Sequence, residues 1–198
     1  IMAASGEIVT YRDLDEASNR GAHVFRKLGL GHATPIAIFM ENSPRFLEIC
    51  WAAQRSGLFY TAISSRLTAP EVEYIVRDCG ARAFITSMAK ADVAAQLADA
   101  FKDLDCLMID GTVEGYDSWE VATAAQPATP VADELEGQDM LYSSGTTGRP
   151  KGVRIPFAER PLGHPDSILM LARDLYQMDA DTIYLSPAPL YHAAPLRF

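Results

Sequence analysis

The sequence predicts an α/β fold in which layered, largely parallel sheets are flanked by helices. Short apolar segments of four to six residues recur through the first 110 residues, and amphipathic segments with helical spacing lie between them. The chain has 198 residues, of which 48% are hydrophobic and 22% are charged, and this composition suits one globular domain with its own core. Strands that alternate with helices are joined by right-handed crossovers, so they are expected to lie parallel in one sheet.

Four amphipathic helices are predicted from their capping residues and their apolar spacing. Thr10 and Asp13 form a weak version of a capping box, whereas Thr68 and Glu71 form a complete one. Pro44 marks another start, because the N–H that proline lacks is unpaired in a first helical turn anyway. Glycines end three of the helices. The predicted spans are 10–29, 43–57, 68–80 and 89–100, and a further helix is expected to begin near residue 166.

Six strands are predicted from the short apolar runs. Most of these runs have no polar side, which indicates burial on both faces of a parallel sheet. A looser segment from 114 to 136, rich in prolines and acidic residues, is expected to be a connection that contains a short helix near 117–120. The predicted strands span 35–40, 58–63, 82–86, 106–109, 139–142 and 182–186.

The composition disfavours several classes of function. A formal net charge of −9 and a pI near 4.8 argue against nucleic acid and anionic membrane surfaces as partners. No apolar run of about 18 residues is present, so no transmembrane span is predicted, and no secretory leader is expected. Cys50, Cys79 and Cys106 lie in apolar contexts without metal-binding spacing, which predicts buried, reduced thiols and a cytoplasmic protein. A homodimer is compatible with the sequence.

A segment rich in glycine and hydroxyl residues follows the strand predicted at 139–142. From Ser143 to Gly152 it contains four hydroxyl residues, three glycines and one lysine. Glycine permits positive φ, so successive backbone N–H groups can turn toward one anion, and Lys151 adds a charge suited to phosphate. The segment is therefore predicted to hold a polyphosphate.

Two alternative interpretations compete with this prediction. Segments rich in Ser, Thr and Gly are commonly mobile surface loops. The Walker loop, G-x-x-x-x-G-K-[ST], also binds phosphate. Counted from Gly145, however, it requires glycine where Pro150 stands and a hydroxyl residue where Gly152 stands. The order of the residues therefore argues against a Walker loop.

The string YSSGTTGRPKGV at 142–153 resembles the phosphate loop of the adenylate-forming superfamily, which includes acyl-CoA synthetases, adenylation domains of peptide synthetases and luciferases. The upstream string IVTYRDLDEASNRGAHVFRKLG is similar to the region that precedes this loop in the same superfamily. The resemblance implies that residues 1–198 are an incomplete N-terminal part of that fold, with the phosphate loop at 142–152 and no C-terminal domain. The expected triphosphate contacts are Ser143, Ser144, Gly145, Thr146, Thr147, Gly148 and Lys151.

Pro-Leu-Tyr-His at 189–192 resembles the superfamily's second motif, in which an aromatic residue and a histidine line the pocket of the carboxylate substrate. Its prolines predict a rigid loop just past a strand end, which is where α/β sheets bind ligands. Tyr191 and His192 are expected to bind the acid, and His192 to orient it near the α-phosphate of ATP. A lone histidine is more often structural, and this alternative stays open. Residues 154–165 depart from the superfamily's usual pattern and contain three prolines.

The resemblance implies a two-step reaction. A carboxylic acid and ATP form an acyl-adenylate, and coenzyme A then takes the acyl group. Lys151 and His192 are the expected catalytic residues, Mg²⁺ is expected with ATP, and no metal ligand is predicted in this chain. The alternatives are an adenylation domain that loads a carrier protein and a non-catalytic module that binds nucleotide or a partner. The superfamily's adenine, metal and catalytic-lysine motifs lie farther along, so we expect a truncated chain that is inactive alone.

Overall fold

The computed structural model describes residues 1, 3, 5–143, 149–156 and 159–197, and it confirms the α/β architecture. The strands are β1 (Pro35–Phe39), β2 (Phe59–Ile63), β3 (Ala83–Ser87), β4 (Asp105–Ile109), β5 (Asp117–Ser118), β6 (Gln138–Asp139), β7 (Leu141–Ser143) and β8 (Lys151–Val153). The first six form one parallel sheet in the order β5-β4-β3-β1-β2-β6. Strands β7 and β8 form a separate antiparallel hairpin.

The helices lie between the strands, as the capping residues predict. They are α1 (Tyr11–Lys27), α2 (Pro44–Arg55), α3 (Ala69–Asp78), α4 (Ala91–Leu97), α5 (Trp119–Ala124), α6 (Ser167–Met170) and α7 (Ala193–Arg197). A 3₁₀ turn at Met88–Lys90 precedes α4, and a π-helical segment at Leu171–Leu175 follows α6. Among the described residues, no helix combines the length and the apolar character needed to cross a bilayer.

The main sheet is buried on both faces by two separate apolar layers. In β1, Ile36 and Ile38 belong to the layer beneath α1, α2 and α5, whereas Ala37 and Phe39 belong to the layer beneath α3 and α4. This division follows from the strand geometry, because successive side chains point to opposite faces. All three cysteines are free and buried, as predicted, and burial raises the pKa of Cys106 to about 12.

Two of the predicted strands differ from the structure. The segment 139–142 is divided at Met140: β6 ends in the main sheet, and β7 leaves it to form the hairpin. The strand predicted at 182–186 is wrong, since these residues pair with no described strand, and Ile183 is 97% exposed. An apolar run forms a strand only beside an edge that accepts its backbone hydrogen bonds. The helix expected from residue 166 is short and changes to π geometry at Leu171.

The two capping boxes are formed as predicted, and they make the stability of the fold depend on pH in the acid range. The Thr68 amide donates to the Glu71 carboxylate at 2.8 Å, and the Thr68 hydroxyl donates at 2.6 Å. These hydrogen bonds lower the pKa of Glu71 below its ordinary value. Their contribution to stability is therefore present above the unfolded-state pKa of about 4.3 and is lost as the pH falls through the lower folded-state pKa.

Replacing Glu71 with glutamine is expected to flatten the acid dependence of thermal stability. Glutamine can keep the box but cannot ionise, so the wild type should be more stable near neutral pH, with the difference vanishing as the pH falls through the lowered pKa of Glu71. Thermal unfolding of both proteins across this range measures the effect. Parallel melting curves for the two proteins at every pH would contradict it.

Candidate functional site

The glycine-rich hairpin, comprising β7, β8 and the residues between them, lies at the carboxyl end of β6. Its register pairs Leu141 with Val153, Tyr142 with Gly152, and Ser143 with Lys151. Ser143 and Lys151 are both exposed, and they form the last pair of residues in the register of the two strands. Of the predicted phosphate contacts, Ser144, Gly145, Thr146, Thr147 and Gly148 lie outside the described residues.

Gly152 allows the two strands of the hairpin to approach closely. A Cβ at this position would lie 2.8 Å from Cζ of Tyr142 and 2.6 Å from Cε of Met140. The Met140 amide donates to the Tyr60 carbonyl at 2.9 Å, which continues the main sheet up to the start of β7. The hairpin is therefore attached directly to β2 through Met140, and its position follows that of the sheet.

Helix α3 holds both strands at the base of the hairpin. The Tyr142 hydroxyl donates to the Asp78 carboxylate at 2.5 Å, and the Tyr74 hydroxyl donates to the Pro150 carbonyl at 3.2 Å. The guanidinium of Arg149 lies 5.0 Å from the centre of the Tyr74 ring, within the range of a cation–π interaction. Nothing in the sequence indicated these contacts, because they join segments more than 60 residues apart.

The second predicted motif lies beside the end of β1. The Asn42 side chain donates to the Ala188 carbonyl at 3.2 Å and accepts from the Leu190 amide at 2.9 Å. Leu190 is buried, while the rings of Tyr191 and His192 lie 4.5 Å apart, with Tyr191 half-buried and His192 exposed. The motif does not follow a strand of its own, because residues 182–186 form none, but it lies beside the end of β1. Asn42, a polar residue two positions after the strand predicted at 35–40, was the signal that could have located its anchor.

An ion pair connects the second motif to the strand that leads into the hairpin. Arg197 of α7 donates from Nε and Nη2 to the two oxygens of Asp139 at 3.0 and 2.7 Å. Asp139 ends β6 and is only 10% exposed at its side chain, and its hydrogen bonds raise the pKa of Arg197. Neither this pair nor α7 was predicted from the sequence. The pair places the helix that follows His192 next to the end of β6, the strand that leads into the hairpin.

Replacing Arg197 with methionine is expected to lower the free energy of unfolding by about 1–3 kcal/mol, because it leaves the buried Asp139 carboxylate without its partner. Urea denaturation measures the change. The matched control is Arg173→Met, which removes a surface pair with Asp174 whose side chains are 62% and 54% exposed, and which should have little effect on stability. Equal losses in the two variants would contradict the importance of the Asp139 pair.

The described residues form an open surface at the two motifs and no metal centre. In the described ranges, no three His, Cys, Asp or Glu side chains come together as metal ligands. A cavity of about 240 Å³ lies between α1, α2 and α5. A second cavity of about 410 Å³ is lined by residues of the segment 176–184, and neither cavity is lined by Lys151 or His192.

Comparison with known proteins relates this arrangement to one family. Residues 1–198 match the family of AMP-binding enzymes. The chain is 31% identical over 199 residues to the long-chain-fatty-acid–CoA ligase FadD13 of Mycobacterium tuberculosis, covering 95% of this chain and 36% of FadD13. It is 30% identical over 188 residues to surfactin synthase subunit 1 of Bacillus subtilis, covering 93% of this chain and 5% of that protein.

The solved structures agree with this relationship. The ATP-bound crystal structure of MatB from Rhodopseudomonas palustris matches with a TM-score of 0.75 and 26% identity, covering 98% of this chain and 38% of MatB. The chain spans about a third of the length of MatB and of FadD13.

Proposed function

Because the chain belongs to the family of AMP-binding enzymes, we propose that it holds the triphosphate of ATP in an acid–thiol ligase. The observation that carries this proposal is the pairing of Ser143 with Lys151 at the mouth of the hairpin. Both side chains are exposed, and no ion pair occupies the Lys151 ammonium among the described residues. A hydroxyl donor and an unpaired ammonium on facing strands suit the β- and γ-phosphates of a nucleotide.

The proposed reaction divides into two displacements. A carboxylate oxygen of the acid attacks the α-phosphorus of ATP, the bond to the β-phosphate oxygen breaks, and pyrophosphate leaves with its charge. The thiol of coenzyme A then attacks the acyl carbon, loses its proton to solvent, and displaces AMP. Both steps depend on positioning and on offsetting negative charge more than on covalent help from the protein.

The role of the hairpin in this reaction is to bind the pyrophosphate portion. Lys151 offsets charge as pyrophosphate leaves, and Ser143 donates a hydrogen bond to a phosphate oxygen. Ser144, Thr146 and Thr147 would add hydroxyl donors, and Gly145 and Gly148 would let the backbone approach the phosphates; these assignments rest on the sequence. Mg²⁺ would neutralise phosphate charge when ATP is bound.

Tyr191 and His192 are proposed to bind the carboxylic acid. Their rings are in contact, and the Asn42 hydrogen bonds hold the preceding residues at the end of β1. The acid is already ionised near neutral pH, so His192 would orient the carboxylate and need not remove a proton. We assign it a binding role accordingly.

A carrier protein is the alternative acyl acceptor. The fatty acid–[acyl-carrier-protein] ligase ScoC of Streptomyces coeruleorubidus matches this chain at 31% identity over 156 residues, the same identity as FadD13. In that case the pantetheine thiol of a carrier protein would replace coenzyme A in the second step, and the role of the hairpin would be unchanged.

Calorimetric titration of the 198-residue chain with ATP, sodium tripolyphosphate and AMP tests the proposal. ATP and tripolyphosphate are expected to bind with comparable affinity, and AMP about tenfold or more weakly, because it lacks the phosphates that Lys151 would contact. Supplied with ATP and a fatty or aromatic acid, the same chain is expected to release no pyrophosphate. Equal affinity for AMP and ATP, or no binding of any of the three, would contradict the proposal.

A further inference from the structure

Both strands of the hairpin are tied to the same face of one helix. Tyr74 and Asp78 are four residues apart on α3, so their side chains lie one turn apart on the same side. Asp78 accepts from Tyr142 on β7, and Tyr74 donates to the carbonyl of Pro150, the residue before β8. The two contacts therefore fix the two sides of the hairpin relative to one rigid element.

The Tyr142 contact is suited to hold this position. Burial, and then the hydrogen bond to Asp78, raise the pKa of Tyr142, so its hydroxyl stays protonated and remains a donor at neutral pH. A donor facing a carboxylate makes a charge-assisted hydrogen bond, which is stronger than a neutral one. The tyrosine ring also lies across Gly152 on the opposite strand, so the contact orients both strands at once.

The side chains of Arg149 and Lys151 have different surroundings, although the sequence alone does not distinguish these two cations. Arg149 and Lys151 are two residues apart, and either could contact phosphate. The Arg149 guanidinium lies over the Tyr74 ring at 5.0 Å, whereas no partner holds the Lys151 ammonium within the described part of the chain. Arg149 thus belongs to the contact with α3, and Lys151 is the cation left to meet a ligand.

We propose that Tyr74 and Asp78 are positioning residues, which hold the base of the hairpin so that Ser143 and Lys151 are presented to polyphosphate. Their contacts with the hairpin form an anchor on α3, and Arg149 belongs to this anchor and does not contact phosphate. The proposal rests on the proposed triphosphate-binding function. Its physical basis is preorganisation: a binding segment that is already held in place loses less conformational freedom when the ligand arrives.

The first test measures tripolyphosphate affinity in the variant Tyr74→Phe/Tyr142→Phe, which removes both hydroxyls and keeps both rings. Binding is expected to weaken about tenfold, since each lost hydrogen bond releases one side of the hairpin. Tyr116→Phe is the matched control, because its hydroxyl donates to the Ala94 carbonyl at 3.0 Å, far along the sheet from the hairpin. This control should lose thermal stability and keep its affinity. Unchanged affinity in the double variant would overturn the proposal.

A double-mutant cycle tests the role of Arg149. Arg149→Leu is expected to weaken tripolyphosphate binding in the wild-type background and to have little further effect in a Tyr74→Leu background, because the cation–π contact is already lost there. An equal effect in both backgrounds would mean that Arg149 contacts phosphate directly, which would overturn this part of the proposal.

Amide hydrogen exchange tests whether α3 holds the hairpin, and it does so independently of polyphosphate binding. In Tyr74→Phe/Tyr142→Phe, the amides of Tyr142, Lys151 and Val153 are expected to exchange faster than in the wild type without ligand, while those of β1 and β3 keep their rates. If the wild type binds no tripolyphosphate, the proposed function fails, and exchange alone decides whether α3 holds the hairpin. Unchanged exchange in the hairpin would overturn the anchor in either case.

Discussion

Replacing Lys151 with alanine is expected to weaken tripolyphosphate binding by about 30- to 100-fold, the largest effect on binding of any single change in this chain. A charge-assisted hydrogen bond to phosphate contributes about 2–3 kcal/mol, and 1.4 kcal/mol corresponds to tenfold. Lys151 is exposed and has no partner among the described residues, so its removal should leave the thermal unfolding midpoint nearly unchanged. Calorimetric titration of both proteins measures the loss.

Two controls accompany this variant. Lys102→Ala removes an exposed lysine whose ammonium pairs with Asp99 at 2.8 Å, so it tests for a general effect of charge and should leave affinity almost unchanged. Lys151→Arg keeps the charge but replaces a compact ammonium with a planar guanidinium, and an intermediate affinity is expected. If Lys102→Ala and Lys151→Ala lose affinity equally, binding reflects net charge and not the hairpin.

Replacing Phe84 with alanine is expected to give the largest loss of stability, about 3–5 kcal/mol in the free energy of unfolding. Phe84 lies in β3 near the middle of the main sheet and is fully buried. Its ring centre is 5.0 Å from that of Phe101, 6.3 Å from that of Tyr116 and 6.4 Å from that of Phe39. Deleting it removes apolar burial and leaves a cavity that these rings cannot fill without moving.

Thermal and urea unfolding check this second prediction. A loss of that size in a chain of this length lowers the melting temperature by roughly 6–20 °C. Val121→Ala is the control, because Val121 is 74% exposed, and its change should stay within about 0.5 kcal/mol. A loss below about 1 kcal/mol for Phe84→Ala would show that the layer beneath α3 and α4 is not packed as described.

Local signals account for the elements that the sequence predicted well. The capping boxes at Thr10 and Thr68 and the apolar runs of β1 to β4 are encoded within a few neighbouring residues, and the structure forms all of them close to the predicted positions. The apolar run at 182–186 shows the limit of this approach. Its composition favours a strand, but strand formation also needs a paired neighbour, which no local pattern reveals.

The candidate site likewise contains features that the sequence predicts and contacts that it does not. The order of residues from Ser143 to Gly152 predicts a phosphate-binding segment, because glycines, hydroxyls and a lysine together suit an anion. The pair Asp139–Arg197 and the contacts from α3 could not be anticipated. They join residues separated by 58 and 64 positions, and only the folded topology brings these together.

The central claim is that polyphosphate binds at the mouth of the hairpin. An NMR titration of the isotope-labelled chain with sodium tripolyphosphate tests it most directly. The account predicts that the largest amide shift changes fall within residues 141–153, and that they disappear in Lys151→Ala. Shift changes centred on Arg20 and Arg45, which line the charged cavity between α1, α2 and α5, or no saturable change at all, would contradict it.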